Sequence, residues 1–200
     1  RLYTCPQTLY KFHPVFDRVI GELLRRDPDG WLVLIDDWAG GCWKKRLRDR
    51  FLRIFPDVAD RVVFVPQMPQ EMYLSLLTIA DAIIDIPTFS GGISAIEAFS
   101  VGAPIATWEN KFMRSRVTAA YYRQMGLSEL VATDEQAYLK LVLKLAQDTD
   151  FKTRMQADIN ANAGKLFETL DPVREMETFF IAAYDAWKTG KALAGYPFDN

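Results

Sequence analysis

The fold is indicated most directly by residues 80–104, which read ADAIIDIPTFSGGISAIEAFSVGAP. An apolar run at residues 82–86 is followed by a loop with two consecutive glycines and then by a helix-like segment at residues 94–101. Gly102 stands where a glycine commonly ends a helix, and a second apolar run follows at residues 104–107. Strand, helix and strand in this order predict two parallel strands joined by a right-handed crossover.

The same alternation extends upstream of this stretch. Further strand-like runs and helix-like segments alternate at residues 2–5, 14–26, 31–35, 42–55, 62–65 and 70–79. The strand-like runs show little polar alternation, which is typical of strands covered by helices on both faces. The sequence therefore predicts an α/β fold, a Rossmann-like doubly wound parallel sheet of about six strands.

Beyond residue 107 the alternation fades, and the remaining pattern is helical. Three helices are predicted at residues 134–148, 150–163 and 172–188, with Asp134 and Asp171 as N-caps. We expect residues 1–188 to form one domain that ends in these helices. Residues 189–200 are predicted to be a loose tail.

Composition and charge exclude several classes of protein. The 200 residues carry 24 basic and 26 acidic side chains, and this net charge of −2 gives no bulk attraction to nucleic acid or to an anionic membrane. The basic run at residues 44–50 is predicted to be the solvated face of a helix. One histidine and two cysteines exclude zinc fingers and disulfide scaffolds, and Cys5 and Cys42 are expected to be buried. No apolar run reaches about 18 residues, so no membrane span is predicted.

The loop after residues 82–86 is the strongest candidate for a binding site. Ligands of open parallel sheets bind beyond the carboxyl ends of the strands, and this loop contains Gly91 and Gly92 just before a helix. Glycines let the backbone approach a ligand, and the amides of the helix start favour a phosphate. Glu97, one turn into the helix, is placed to accept hydrogen bonds from a ribose. The alternative is a plain helix start, in which Ser94 and Glu97 form a capping box.

The loop after residues 2–5 carries the second candidate, Lys11. It precedes a helix start, where a positive charge is disfavoured by the helix dipole, so the lysine suggests a negative ligand nearby. The alternative is a lysine whose ammonium simply reaches water. We interpret His13 as a residue of the helix start and not as a general base, because no carboxylate partner is identifiable.

The loop after residues 62–65 is the third candidate. It contains Gln67 and Met68 between prolines and is followed by Tyr73, so that backbone groups and an aromatic ring are available to hold a planar base. The alternative is that Met68 and Tyr73 are ordinary packing residues at a helix entry.

Several segments occur together in a fixed order, at residues 6–11, 14, 61–64, 80–85, 91–97, 102–104, 115–117 and 126–127. In this order and spacing they resemble the C-terminal lobe of the protein O-linked N-acetylglucosamine transferases and their bacterial relatives. These are GT-B glycosyltransferases, commonly preceded by tetratricopeptide repeats. The resemblance covers most of the chain, from Leu2 to Trp187.

The resemblance implies a role for each candidate. Lys11 occupies the place of the lysine that bridges the diphosphate of a nucleotide sugar and acts in catalysis. Backbone amides at Gly92, Ile93 and Ser94 would bind the same diphosphate, and Glu97 stands where the family usually has an aspartate that holds the ribose. The base would lie against residues 67–70 and Tyr73.

The chain also departs from the family pattern. A histidine that precedes a Thr-Thr pair is Gly92 here, and the pair itself is Ile93 and Ser94. A second histidine near the base is replaced by Tyr73. Because base contacts choose between uridine and guanosine carriers, these changes bear on which nucleotide is bound.

The sequence and the resemblance together give one expectation of function. We expect the donor-binding lobe of an inverting glycosyltransferase, which transfers a sugar from a nucleoside diphosphate sugar, uridine-linked, to a Ser or Thr hydroxyl of a protein or peptide. No metal and no other cofactor is expected. Because the chain begins with Arg1, we expect it to be a piece of a longer cytoplasmic protein. An N-terminal lobe with the catalytic base, and tetratricopeptide repeats, would lie in the rest of that protein. The alternatives are a nucleotide-sugar epimerase of the same fold and a non-catalytic nucleotide-binding or protein-interaction module.

Overall fold

The computed structural model describes residues 1–37, 40–191 and 193. The chain divides into two compact units, residues 1–164 and residues 165–200. The division of the chain at residue 188 stays a prediction. Most of the predicted tail, residues 189–200, lies outside the described residues.

The first unit contains a sheet of six parallel strands. In chain order the strands are β1 (Leu2–Cys5), β2 (Trp31–Ile35), β3 (Val62–Val65), β4 (Ala82–Ile84), β5 (Ile105–Trp108) and β6 (Val131–Ala132). Their spatial order is β3-β2-β1-β4-β5-β6. This order reverses between β1 and β4, as in the doubly wound Rossmann arrangement, so the predicted fold class is confirmed.

Among the described residues of this unit, seven α-helices connect or follow the strands. They are α1 (Pro14–Arg26), α2 (Cys42–Ile54), α3 (Gln70–Ile79), α4 (Ile93–Ser100), α5 (Val117–Met125), α6 (Glu135–Gln147) and α7 (Thr149–Asn162). Helix α1 packs beside α2 and α6, whereas α3 packs beside α4. Right-handed crossovers on either side of β1 place these two groups on opposite faces of the sheet, which is why the strands are apolar on both sides.

Local sequence explains where several helices begin and end. Helix α1 starts with Pro14, and the Nδ1 atom of His13 accepts a hydrogen bond from the amide of Val15 at 3.2 Å, which confirms His13 as a residue of the helix start. Asp134 caps α6 as predicted, at 2.8 Å from the amide of Ala137. Gly102 follows α4 with a φ of +69°, which glycine adopts without strain.

Other sequence expectations are corrected. The N-cap of α4 is Gly92, so Ser94 lies inside the helix and the capping-box alternative for Ser94 and Glu97 is wrong. Cys42 is exposed at the start of α2, whereas Cys5 is buried as expected. Two elements of the region after residue 107, α5 and β6, were not predicted. A strand of two residues such as β6 leaves almost no pattern in a sequence.

The basic run on α2 is largely neutralised by neighbouring carboxylates. Lys45 pairs with Asp49 within the helix at 3.0 Å. Arg50 contacts the buried Asp17 of α1 at 2.5 Å, and Lys44 pairs with Asp36 at 2.9 Å. These pairs support the interpretation of the run as a helix face and not as a nucleic-acid patch.

The second unit contains one long helix, α8 (Asp171–Lys188). Its N-cap is Leu170, so the prediction that Asp171 caps it is wrong, and Asp171 is instead the first helical residue. The helix is amphipathic, with apolar residues such as Met176, Phe180 and Trp187 along its length. Within the described part of the chain, no helix is both long and apolar enough to cross a membrane.

Candidate functional site

One large cleft opens at the carboxyl edge of the sheet, where the strand order reverses between β1 and β4. Its volume is about 1060 Å³, which is the size range of small-molecule sites. The loops that follow β1, β2, β3, β4 and β5 all contribute to its lining. The fold therefore places the cleft where open α/β sheets bind their ligands.

The loop after β1 brings Lys11 to the cleft. A short 3-10 helix, Leu9–Lys11, turns the chain between β1 and α1 and has Lys11 at its end. The Nζ atom of Lys11 lies 4.4 Å from the centroid of the Phe89 ring. Among the described residues no carboxylate lies within ion-pair distance of this ammonium, so its charge is available to an anionic ligand.

The start of α4 brings backbone donors to the same cleft. Gly92 is the N-cap, and none of the side chains that the structure describes caps the helix. The amides of Gly92, Ile93 and Ser94 have no acceptor within the helix, because the first turn lacks a preceding one. A Cβ atom at Gly92 would meet no atom within 4 Å, so the backbone here is open to the cleft. Lys11 and these donors make a site suited to a phosphate or a diphosphate.

The loop between β4 and α4 is held by a buried carboxylate. Asp85 directly follows β4 and is 3% exposed. Its Oδ1 atom accepts from the Gly91 amide at 2.8 Å, and its Oδ2 atom accepts from the hydroxyls of Ser90 at 2.8 Å and Thr107 at 2.7 Å. Burial raises the pKa of the Asp85 carboxyl, while these donors oppose that effect. Asp85 thus fixes the chain that leads into Gly92.

Gly91 is the one predicted site residue that does not line the cleft. Its amide points back to Asp85, and an added Cβ would lie 3.0 Å from the Ser94 Oγ atom and 3.3 Å from the Ala95 Cβ atom. The two glycines therefore have different roles in the structure: Gly91 allows close packing of the loop on α4, and Gly92 leaves space for a ligand.

The cleft is also lined by Gln67, Met68, Tyr73 and Glu97. Gln67 is oriented by a hydrogen bond from its Nε2 atom to the Asp36 carbonyl at 3.1 Å. Burial, and after it the neighbouring Glu97 carboxylate, raises the pKa of the Tyr73 hydroxyl above its usual range. Tyr73 is therefore a neutral group beside an acidic one, an arrangement suited to the base and ribose of a nucleoside.

The structure thus brings Lys11, Gly92, Ile93, Ser94, Glu97, Gln67, Met68 and Tyr73 together around one cleft. The individual role of each stays a prediction. Sequence reasoning missed Asp85 and Gln7, although both follow a strand at the edge where ligands bind, which was the available signal. It also missed Phe89, whose contact with Lys11 no spacing rule reveals. Within residues 1–37, 40–191 and 193, no group of three His, Cys, Asp or Glu side chains is placed to hold a metal ion.

Comparison with known proteins identifies relatives of this chain. It is 24% identical over 135 residues to the UDP-N-acetylglucosamine–peptide N-acetylglucosaminyltransferase of Caenorhabditis elegans, a match that covers 66% of this chain and 12% of that protein. A protein of the same name from Giardia intestinalis is 21% identical over 183 residues, which is 91% of this chain and 12% of that protein. The chain therefore spans about an eighth of the length of these relatives.

Solved structures agree on the fold. A variant O-GlcNAc transferase of Thermobaculum terrenum superposes with a TM-score of 0.72 at 22% identity, over 88% of this chain and 35% of that one. The sequence model of glycosyl transferase family 41 matches residues 2–176. Since that match covers most of the sequence, the chain belongs to glycosyl transferase family 41.

Proposed function

We propose that this chain is the donor-binding lobe of a glycosyltransferase that uses a nucleoside diphosphate sugar, uridine-linked, and modifies Ser or Thr hydroxyls of proteins. The single observation that carries the proposal is the meeting of Lys11 with the uncapped amides of α4 in one cleft. Membership of the family and the names of the relatives support sugar transfer and a peptide acceptor. The proposal includes a cytoplasmic location.

The chemistry of the site follows from where charge develops. In an inverting transfer the acceptor oxygen bonds to the anomeric carbon as the bond from that carbon to the diphosphate oxygen breaks. The diphosphate takes the electron pair, so negative charge grows on it. Lys11 and the amides of Ile93 and Ser94 would stabilise this charge with no reorganisation, because the fold already holds them in place. These donors supply the charge stabilisation without a metal ion.

The remaining groups would recognise the nucleoside. Glu97 would accept hydrogen bonds from the ribose hydroxyls, and Tyr73, Gln67 and Met68 would contact the base. The proton of the acceptor hydroxyl would go to a base in the rest of the protein. The contacts that hold the acceptor would also come from there. We therefore expect this chain by itself to bind nucleotide weakly and to transfer no sugar.

Calorimetric titration of the 200-residue chain tests the nucleotide site. UDP and GDP are compared in the wild-type chain, in Lys11→Ala and in the matched control Lys140→Ala, which removes an exposed lysine of α6 away from the cleft. A charge-assisted hydrogen bond contributes about 1.5–3 kcal/mol, so Lys11→Ala is expected to weaken UDP binding by about 10- to 150-fold.

Two results would overturn the site assignment. One is that neither nucleotide binds at millimolar concentration, and the other is that Lys11→Ala binds UDP as tightly as Lys140→Ala does. Product analysis with the whole protein, UDP-N-acetylglucosamine and a peptide acceptor then tests the reaction. A glycosylated peptide supports transfer, whereas an epimerised nucleotide sugar contradicts it.

A further inference from the structure

Lys11 has an unusual setting for a cation at a helix start. It lies just before α1, whose amino end disfavours positive charge, and within the described residues its ammonium has no carboxylate partner. The contact that the structure gives it is the Phe89 ring, at 4.4 Å from the Nζ atom to the ring centroid. This distance is within the range of a cation–π interaction.

The backbone that carries the Phe89 ring is held in place by hydrogen bonds. Gln7, which is 4% exposed, donates from its Nε2 atom to the Phe89 carbonyl at 2.6 Å and accepts from the Ile86 amide at 3.0 Å through its Oε1 atom. The Phe89 amide closes a turn onto the Ile86 carbonyl at 3.1 Å. Gln7 thus ties the loop that carries the ring to the loop that carries Lys11.

The ring itself is not part of the core. Phe89 is 40% exposed and lines the cleft, so packing alone gives no reason for an aromatic residue here. A ring whose backbone is held by hydrogen bonds, and which lies half in water and beneath a lysine, is suited to hold that lysine in one orientation.

We propose that Phe89 is a positioning residue for Lys11, which holds the ammonium between its ring face and the diphosphate of the bound nucleotide. This inference rests on the proposed function. Because the ring already restricts the Lys11 side chain before the nucleotide binds, less conformational entropy of this side chain is lost on binding. In this arrangement the phosphate would approach the ammonium from the side away from the ring, so that both contacts would persist in the complex.

The test uses two substitutions at Phe89 and a matched control. Phe89→Leu removes the ring and keeps an apolar side chain, whereas Phe89→Tyr keeps the ring. The control is Phe112→Leu. Phe112 is also exposed and also has a cation over its ring, the Cζ atom of Arg114 at 4.4 Å. Phe112 does not line the cleft but Arg114 does, so this variant removes another ring–cation contact beside the cleft and leaves the one at Lys11 in place. Thermal melting of each variant shows that it is folded.

Calorimetric binding of UDP and of uridine distinguishes a positioning role of Phe89 from a merely structural one. Phe89→Leu is expected to weaken UDP binding by about 2- to 10-fold and to leave uridine binding unchanged. In a Lys11→Met background the same substitution is expected to have no further effect on UDP binding. Phe89→Tyr and Phe112→Leu should bind UDP as the wild-type chain does.

A spectroscopic measurement checks the contact directly. The ε-methylene protons of Lys11 are expected to be shifted upfield by the ring current in the wild-type chain and in Phe89→Tyr, and to return to their ordinary position in Phe89→Leu. The inference is overturned if Phe89→Leu binds UDP normally, or if it weakens UDP and uridine equally. A wild-type chain that binds no UDP overturns the proposed function as well, so the two failures are distinguishable.

Discussion

The buried carboxylate of Asp85 offers the sharpest test of how the fold supports the site. Asp85→Ala removes the acceptor for three donors: the Gly91 amide and the hydroxyls of Ser90 and Thr107. The Ser90 hydroxyl keeps another partner, because the Thr118 Oγ1 atom lies 2.8 Å away. The Gly91 amide and the Thr107 hydroxyl are left buried without their acceptor.

The expected cost follows from these two donors. A buried donor that loses its acceptor costs about 1–3 kcal/mol, so Asp85→Ala is expected to lower the free energy of unfolding by about 2–6 kcal/mol. That is a large share of the roughly 5–15 kcal/mol that stabilises a protein domain. Asp85→Asn is expected to cost less, about 1–2 kcal/mol, because the amide oxygen still accepts from Gly91 and the two hydroxyls can rotate to accept from the amide nitrogen.

The pH dependence has a definite sign. Burial raises the pKa of Asp85 in the folded chain, whereas the unfolded chain has an ordinary value of about 3.9. Between these two values the folded chain binds more protons than the unfolded chain, so its stability falls as the pH rises. The stability that Asp85 contributes is therefore fully present below its ordinary pKa in the unfolded chain. It is lost as the pH rises through the raised pKa of the folded chain.

Urea denaturation followed by tryptophan fluorescence measures both effects. The difference in free energy of unfolding between the wild-type chain and Asp85→Asn should decrease as the pH rises from 4 and then level off. Asp81→Asn is the matched control, because that carboxylate accepts from the Leu2 amide at 2.7 Å at the other end of β4. UDP affinity should fall in Asp85→Ala and stay unchanged in Asp81→Asn. A difference that rises with pH, or an Asp85→Ala cost below about 1 kcal/mol, would refute this reasoning.

Three further predictions concern the scaffold, each measured by urea denaturation. Arg50→Met leaves the fully buried carboxylate of Asp17 without its cation and should lower the free energy of unfolding by about 3–5 kcal/mol. The double variant with Asp17→Asn should recover part of this loss, and no recovery would contradict the pairing. Gly102→Ala should cost about 1–3 kcal/mol without changing UDP affinity, because φ is +69° and the new Cβ would overlap the Asn160 Oδ1 atom. Tyr122→Phe removes a buried hydroxyl that bonds both the amide and the carbonyl of the first residue of β5, and it should cost about 1–3 kcal/mol; an unchanged stability would show that these groups find other partners.

The sequence predicts the sheet well because its signal is local. The runs at β1, β2 and β3 have the same bounds in the sequence pattern and in the structure, since apolar strands between turn residues stand out clearly. The short strand β6 and the N-cap of α4 did not follow from pattern. In α4 the pattern favours Ser94 as the cap, whereas the structure has Gly92 there, in a loop held by the buried Asp85.

Which residues of the site could be predicted also depends on whether their signal is local or tertiary. Lys11 and the glycine loop are visible in the sequence because they follow strands that meet at one edge. The role of Phe89 could not be predicted, because it depends on two loops that are about 80 residues apart in the chain and meet only in the folded state. Contacts of this kind can be identified only in the folded structure, even where the motif that they support is clear in the sequence.

The departures from the family pattern fall in two parts of the cleft, one where backbone amides and one where side chains would contact the nucleotide. At Gly92, Ile93 and Ser94 the side chains differ from the pattern, but the donors offered to a diphosphate are backbone amides that any residue provides. The nucleoside side of the cleft is different, because Tyr73 and Glu97 would act there through their own hydroxyl and carboxylate. Diphosphate binding should therefore survive these substitutions, whereas the choice of base should be sensitive to them. Comparing UDP with GDP in Tyr73→His tests this division: we expect the ratio of the two affinities to change and the dependence on Lys11 to stay. An unchanged ratio would place the recognition of the base elsewhere in the cleft, and a lost dependence on Lys11 would contradict the division itself.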